Sequence, residues 1–184
     1  MSEIILVTGG ARSGKSLYAE ALATNPTLYI ATAQITDEEM EDRIRRHRER
    51  RPEGWITLES HRDFIMPDGD YETILLDDLG NLLMGVLFDE IPDADTCALS
   101  EFDRVEALVI DEIKTLAAFA RAGGKRLILV TNEIGLGLVP AYRLGRYYRD
   151  ILGRANRCAA ELADRVVFLV SGIPLNLKAP PERP

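Results

Sequence analysis

The chain has 184 residues, a length that predicts one domain, and its 46% hydrophobic and 28% charged residues suit a folded globular protein rather than a disordered one. Two cysteines and two histidines exclude a disulfide scaffold, a four-cysteine zinc or iron–sulfur site, and any centre that needs three histidines. A formal net charge of −8 argues against general nucleic-acid binding, because phosphate backbones repel an acidic surface.

From the N-terminus, Ile4–Thr8 is a short run rich in β-branched residues that stops at Gly9-Gly10, and it predicts a buried strand. Ser16–Ala23 has helix formers with apolar residues at helical spacing, and Leu28–Ala31 predicts a second strand. Thr36 followed by Glu39 matches a capping box, so a helix is expected from there to about Arg50, ending before Pro52. Trp55–Leu58 is a weaker strand and Thr73–Leu76 a strong one, ending in Asp77-Asp78. Leu79–Phe88 predicts a helix with Met84 and Phe88 on its core stripe. A polar loop follows, holding Pro92, Asp93 and Asp95.

Phe102–Ala122 is a long amphipathic pattern closed by Gly123-Gly124, and Leu127–Thr131 is a further buried strand. Pro140 suits the first turn of a helix reaching about Ala163. Val166–Val170 is expected to be the last strand. Strands without polar alternation, separated by helices, predict a mainly parallel sheet covered on both faces. The expectation is an α/β, three-layer architecture with residues 1–177 as one domain and 178–184 as a proline-rich mobile tail. No run of about 18 apolar residues and no basic-then-apolar start is present, so a cytoplasmic protein without membrane insertion is expected.

The strongest motif is Gly9-Gly10-Ala11-Arg12-Ser13-Gly14-Lys15-Ser16, which fits G-x-x-x-x-G-K-[ST] between a strand and a helix. Glycines let backbone N–H groups surround a triphosphate, and the helix N-terminus adds partial positive charge. Lys15 can reach the outer phosphates, while the Ser16 hydroxyl can serve Mg2+. An acid at the end of another strand usually completes such a metal site, and Asp77 stands in that position. The pattern predicts a nucleoside triphosphate and leaves the acceptor open.

Six of the 18 arginines fall within residues 43–51. Acids four residues upstream can pair with the first of them, as in Glu39–Arg43, Glu41–Arg45 and Asp42–Arg46. Arg48, Arg50 and Arg51 lack such acids, so an anionic ligand is one source of their countercharge. His47 lies among these cations, which favour its neutral, nucleophilic form. A plain surface histidine fits the same pattern. His61, beside Arg62 and Asp63, reads as surface. Trp55, Tyr147 and Tyr148 read as packing residues before ring-stacking ones, and Asn132–Pro140 reads either as a connection or as part of the site.

Taken together, GGARSGKS at 9–16, LYIATAQ at 28–34, EEMEDRIRRHRERRP at 38–52 and TNEIGLGLVP at 131–140 resemble the bifunctional adenosylcobinamide kinase / adenosylcobinamide-phosphate guanylyltransferase family of cobalamin biosynthesis. RLGRYYRDILGRANRCAAELADRV at 143–166 and VSGIP at 170–174 extend the likeness over nearly the whole chain. The resemblance implies phosphorylation of adenosylcobinamide by ATP or GTP. It further implies GMP transfer from GTP, through a covalent histidine, to adenosylcobinamide phosphate.

The family's guanylylated histidine falls on His47. Thr32, Ala33, Gln34, Arg48, Glu49, Arg50, Arg51 and Glu59 fall on nucleotide-contact positions, with Ser16 and Asp77 at Mg2+. The implied fold is a P-loop sheet of the RecA-like type, assembled as a homotrimer. Some members carry two adjacent histidines where this chain has Arg46-His47, and the region Ser60–Tyr71 is short, so corrinoid contacts there are not carried over. A small-molecule kinase without a guanylyl step and a nucleotide-dependent switch protein remain alternatives on the motif alone.

Overall fold

A computed structural model describes residues 2–34, 38, 42, 45, 48, 49 and 51–179. Seven strands, β1 (Ile4–Gly9), β2 (Thr27–Ala31), β3 (Ile56–Glu59), β4 (Thr73–Asp77), β5 (Arg126–Val130), β6 (Arg165–Val170) and β7 (Ile173–Lys178), form one sheet in the order β3-β2-β4-β5-β1-β6-β7. Every neighbouring pair is parallel except β6–β7. The helices whose bounds fall among the described residues are α1 (Lys15–Leu22), α2 (Leu79–Glu90), α3 (Leu99–Ala122) and α4 (Arg143–Leu162). Much of the helix expected after Thr36 lies outside the described residues, as do residues 180–184 of the expected tail.

Alternate residues of the inner strands feed two cores, which is why those strands carry no polar alternation. Ile4, Leu6, Ile74, Leu76, Leu127 and Leu129 pack with α2, α3 and α4. On the opposite face, Ile5, Val7, Leu75, Ile128 and Val130 pack with Ala19 of α1 and with Tyr29. The result is the three-layer α/β P-loop fold, with β5 lying between the strand that leads into the phosphate loop and the strand that ends in Asp77.

Helix ends follow their caps. Asp78 caps α2 by accepting the Asn81 N–H at 2.8 Å. Glu101 reaches back to the Ala98 N–H at 2.7 Å, so α3 begins at Leu99, three residues earlier than its apolar pattern. Pro140 does not open α4, which starts at Arg143. Arg143 instead clamps the preceding loop by donating to the carbonyls of Ala94, Asp95 and Cys97, each at 2.9 Å.

Two expectations need correction. Val166–Val170 is not the last strand, because Ser171 and Gly172, both at positive φ, turn the chain back into β7. Positive φ at both central residues is the tight-hairpin geometry that matches strand twist. Pro174 is tolerated because β7 is an edge strand. In α2 the core stripe is Leu79, Leu82, Leu83, Val86 and Leu87, whereas Phe88 is 54% exposed and Met84 half-buried. Three helices crowd one sheet face, and α2 turns Leu82, Leu83, Val86 and Leu87 into that layer while Phe88 points outward.

Phe102 is 2% exposed and stacks on Tyr147 with ring centroids 3.7 Å apart. Urea denaturation is expected to show a loss of about 3–5 kcal/mol for Phe102→Ala and under about 1 kcal/mol for Phe88→Ala. Equal losses would contradict this packing.

Candidate active site

In a parallel sheet the carboxyl ends of the strands share one edge, and β1, β2, β4 and β5 end there together. Val130 of β5 pairs with both Val7 of β1 and Asp77 of β4, so the phosphate loop begins level with the acid two strands away. Gly9 closes β1 with φ 153, and a Cβ there would lie 2.5 Å from the Leu169 carbonyl of β6 and 2.8 Å from Ser13 Oγ. Only glycine fits that approach. Lys15, buried, donates its ammonium to the Gly10 carbonyl at 3.0 Å. The turn between β6 and β7 braces the loop, with Gly172 N–H donating to the Ser13 carbonyl at 3.0 Å. Ser13 Oγ is buried and has no hydrogen-bond partner among the described residues, an orphan that a phosphate oxygen would satisfy.

Asp77 is held from two elements. Ser16 of α1 donates to its Oδ1 at 3.2 Å, and Tyr29 of β2 donates to its Oδ2 at 2.6 Å. Burial, and next the Asp77 charge, push the Tyr29 phenol well above its ordinary pKa, so it stays a donor. A hydroxyl and a carboxylate side by side form an oxygen donor set suited to Mg2+. Among the described residues there is no cluster of three or more His, Cys, Asp or Glu side chains for a softer metal.

Asp78 serves the other face. Besides capping α2, it accepts from Asn132 Nδ2 at 2.9 Å. Asn132 in turn accepts from Asn156 Nδ2 at 3.1 Å, and Asn156 accepts from Thr131 Oγ1 at 2.6 Å, which ties β5 to α4. Glu133 N–H donates to the Gly9 carbonyl at 3.0 Å, so the segment after β5 adjoins the phosphate loop. Tyr148 stands beside Gly80 and Asp78, and burial, then the Asp78 charge, raise its pKa strongly.

The other expected positions fall as follows. Thr32 is buried, its hydroxyl donating to the Asp78 carbonyl at 2.8 Å. Ala33 is half-buried, and Gln34 is exposed and directs its amide to His61. His47, Arg50, Arg43 and Arg46 lie outside the described residues. Arg45 pairs with Asp42 and, at 2.8 Å, with Glu49.

Arg48 pairs with Glu59 of β3 rather than lacking a countercharge, and Arg51 lays its guanidinium 3.6 Å from the centre of the Tyr29 ring. Neither partner lies along the helix, since Glu59 is on β3 and Tyr29 on β2. His61 is not a solvated surface group. Its ring lies against Gly85 of α2, between Gln34 Nε2 at 3.0 Å and Asp89 Oδ2 at 2.7 Å, which suits the Nε2–H tautomer. Trp55 stacks on Tyr29 at 6.1 Å.

Tyr29 itself went unnoticed in the sequence. Its one signal was a phenol in an otherwise apolar strand.

The family model described as cobinamide kinase / cobinamide phosphate guanyltransferase matches residues 5–177. The bifunctional adenosylcobalamin biosynthesis protein CobU of Escherichia coli is 44% identical over 181 residues, covering 95% of this chain and 99% of that protein. The protein of the same name from Salmonella typhimurium is 41% identical, again over 95% and 99%. The bifunctional adenosylcobalamin biosynthesis protein CobP of Pseudomonas aeruginosa is 38% identical, over 96% and 98%. Among solved structures, a KaiC-like protein from Pyrococcus horikoshii aligns with 98% of this chain and 81% of its own at a TM-score of 0.49 and 13% identity.

The space around the loop glycines differs sharply, since a Cβ on Gly10 would meet nothing within 4 Å. Gly9→Ala is expected to lower stability by about 1–3 kcal/mol and to weaken nucleotide binding, whereas Gly10→Ala keeps the native unfolding midpoint. Paired chemical denaturation curves would expose any error in that ordering.

Proposed function

Because the chain belongs to the cobinamide kinase / cobinamide phosphate guanyltransferase family, an enzyme family of cobalamin biosynthesis with kinase and nucleotidyltransferase activities, we propose that it phosphorylates adenosylcobinamide and then guanylylates the product through a covalent intermediate on His47. The observation that carries the nucleotide part is the meeting of Ser16 with Asp77 at 3.2 Å beside the phosphate loop.

In the first step the backbone of Gly9–Ser16 and the Lys15 ammonium hold the triphosphate. The acceptor hydroxyl oxygen attacks the γ-phosphorus, the new P–O bond forms, the O–H proton passes to solvent, and the bond from the γ-phosphorus to the β-phosphate oxygen breaks as the nucleoside diphosphate leaves. Ser16 and Asp77 would hold Mg2+, which offsets charge on the phosphate oxygens. In the second step a lone pair of the neutral His47 imidazole attacks the α-phosphorus of GTP. A P–N bond forms, and the bond to the β-phosphate oxygen breaks to release pyrophosphate. A phosphate oxygen of adenosylcobinamide phosphate then attacks the same phosphorus, the P–N bond breaks, and adenosylcobinamide-GDP results. Nearby arginines offset the charge on the moving group.

Arg48, Glu49, Arg50, Arg51 and Glu59, with Thr32, Ala33 and Gln34, would form the nucleotide side of the histidine segment. Residues 1–177 act as one domain, working in the cytoplasm as a homotrimer that takes no nucleic acid. No helix among the described residues is long and apolar enough to cross a membrane.

Mass spectrometry after incubation with Mg-GTP is expected to find GMP on the His47 peptide, in a form lost in acid as a phosphoramidate is. His47→Ala should lose guanylyl transfer by more than about 10³-fold yet continue to phosphorylate cobinamide. Asp77→Asn should lower both steps by about 10²-fold, and removal of the metal with EDTA should stop both. Equal loss of both steps in folded His47→Ala would reject the division of labour. Phosphorylation with no GMP on the protein would identify a kinase alone.

A further inference from the structure

We propose that Tyr29 is a positioning residue that ties the Asp77 carboxylate to Arg51, so that one side chain sets both the acid beside the phosphate loop and the end of the segment carrying His47. The inference rests on the roles proposed above for Asp77 and His47, and it adds a residue that the motif does not contain.

Three observations carry it. Tyr29 is 2% exposed in the middle of β2, where Leu28 and Ile30 on either side are wholly buried. A phenylalanine would fill the same volume, so packing does not require the hydroxyl. That hydroxyl donates to Asp77 Oδ2 at 2.6 Å, while Ser16 holds Oδ1. A carboxylate gripped at both oxygens from two different elements has little freedom to turn.

Contacts to the ring account for the rest. Trp55 stacks against it with an interplanar angle of 29°, and the Arg51 guanidinium lies 3.6 Å from its centroid. Arg51 Nη1 donates to Thr57 Oγ1 of β3 at 3.2 Å, whereas its Nε is buried with no hydrogen-bond partner among the described residues. Its seat is thus an aromatic face and a hydroxyl, a contact in which a planar guanidinium is not interchangeable with an ammonium. Arg51 N–H donates to the Arg48 carbonyl at 3.3 Å, and Arg48 pairs with Glu59. The chain just after His47 is therefore moored to β2 and β3, and within that mooring Tyr29 also donates to Asp77.

The test compares Tyr29→Phe with Tyr29→Leu in the full-length protein, measuring kcat and KM for cobinamide phosphorylation and the rate of GMP addition to His47 by intact mass. Tyr29→Phe removes only the hydrogen bond and is expected to lower kcat of both steps by about 10-fold, with the nucleotide KM within about 2-fold of native. The ratio of the two rates then stays native. Tyr29→Leu also removes the seat of Arg51 and is expected to drop the ratio of His47 guanylylation to phosphorylation by about 10-fold, a ratio that Tyr29→Phe restores.

A smaller folded fraction scales both rates equally and cannot change their ratio. The single tryptophan gives a readout without turnover: Trp55 emission shifts to the red in nucleotide-free Tyr29→Leu and not in Tyr29→Phe. Native kcat in Tyr29→Phe, an unchanged ratio in Tyr29→Leu, or an unshifted Trp55 spectrum in Tyr29→Leu overturns the inference. Absence of GMP on His47 in the unmodified protein overturns the guanylyl step proposed above, and the Arg51 half of this inference with it. The Asp77 half is still decided by phosphorylation alone.

Discussion

A single carboxylate, Asp77, is where three separate parts of the chain have to agree. It sits at the tip of β4, with β5 between it and the strand that enters the phosphate loop. Ser16 reaches it only because α1 starts directly after the loop and crosses above β5, and Tyr29 reaches it because β2 runs parallel beside β4. Were any of those strands to slip by one residue, the side chains would turn to the opposite face and the meeting would be lost. The sheet register is thus what brings a hydroxyl, a phenol and an acid together at one corner.

The adjacent acid shows the same constraint from the other side. Asp77 faces α1, whereas Asp78 caps α2 and binds Asn132. Two like residues in succession therefore hold different partners, one at the end of β4 and the other at the cap of α2. Asp78 anchors the three-helix layer, and its link through Asn132 and Asn156 carries that anchoring to α4.

The arginine-rich stretch changes meaning once the strands are in place. Along the helix, Arg48 and Arg51 look like cations awaiting an anion. In space, Glu59 on β3 answers the first and the Tyr29 face answers the second. Both contacts tie the residues just after His47 to the sheet. His61 is similar: beside Arg62 and Asp63 it reads as solvated, yet Gly85 leaves room for its ring, and Gln34 and Asp89 take its two nitrogens.

Among the described residues, strands β1 to β6, helices α1 to α4 and the phosphate loop were legible in the chain, since period, β-branching and glycine spacing are local properties that a linear chain displays directly. The boundaries moved by up to three residues wherever a cap such as Glu101, or a clamp such as Arg143, outweighed the apolar pattern. Strand β7 escaped notice because Pro174 argues against a strand in general and is harmless only at an edge, and where the edges fall is a property of the assembled sheet. The same holds for Tyr29, His61 and the partners of Arg48 and Arg51. Their contacts join residues dozens of positions apart, and no local period encodes which strand lies beside which. That ordering arises when both faces of the sheet are covered at once, so the chemistry of each residue was written in the chain while its neighbours came from folding.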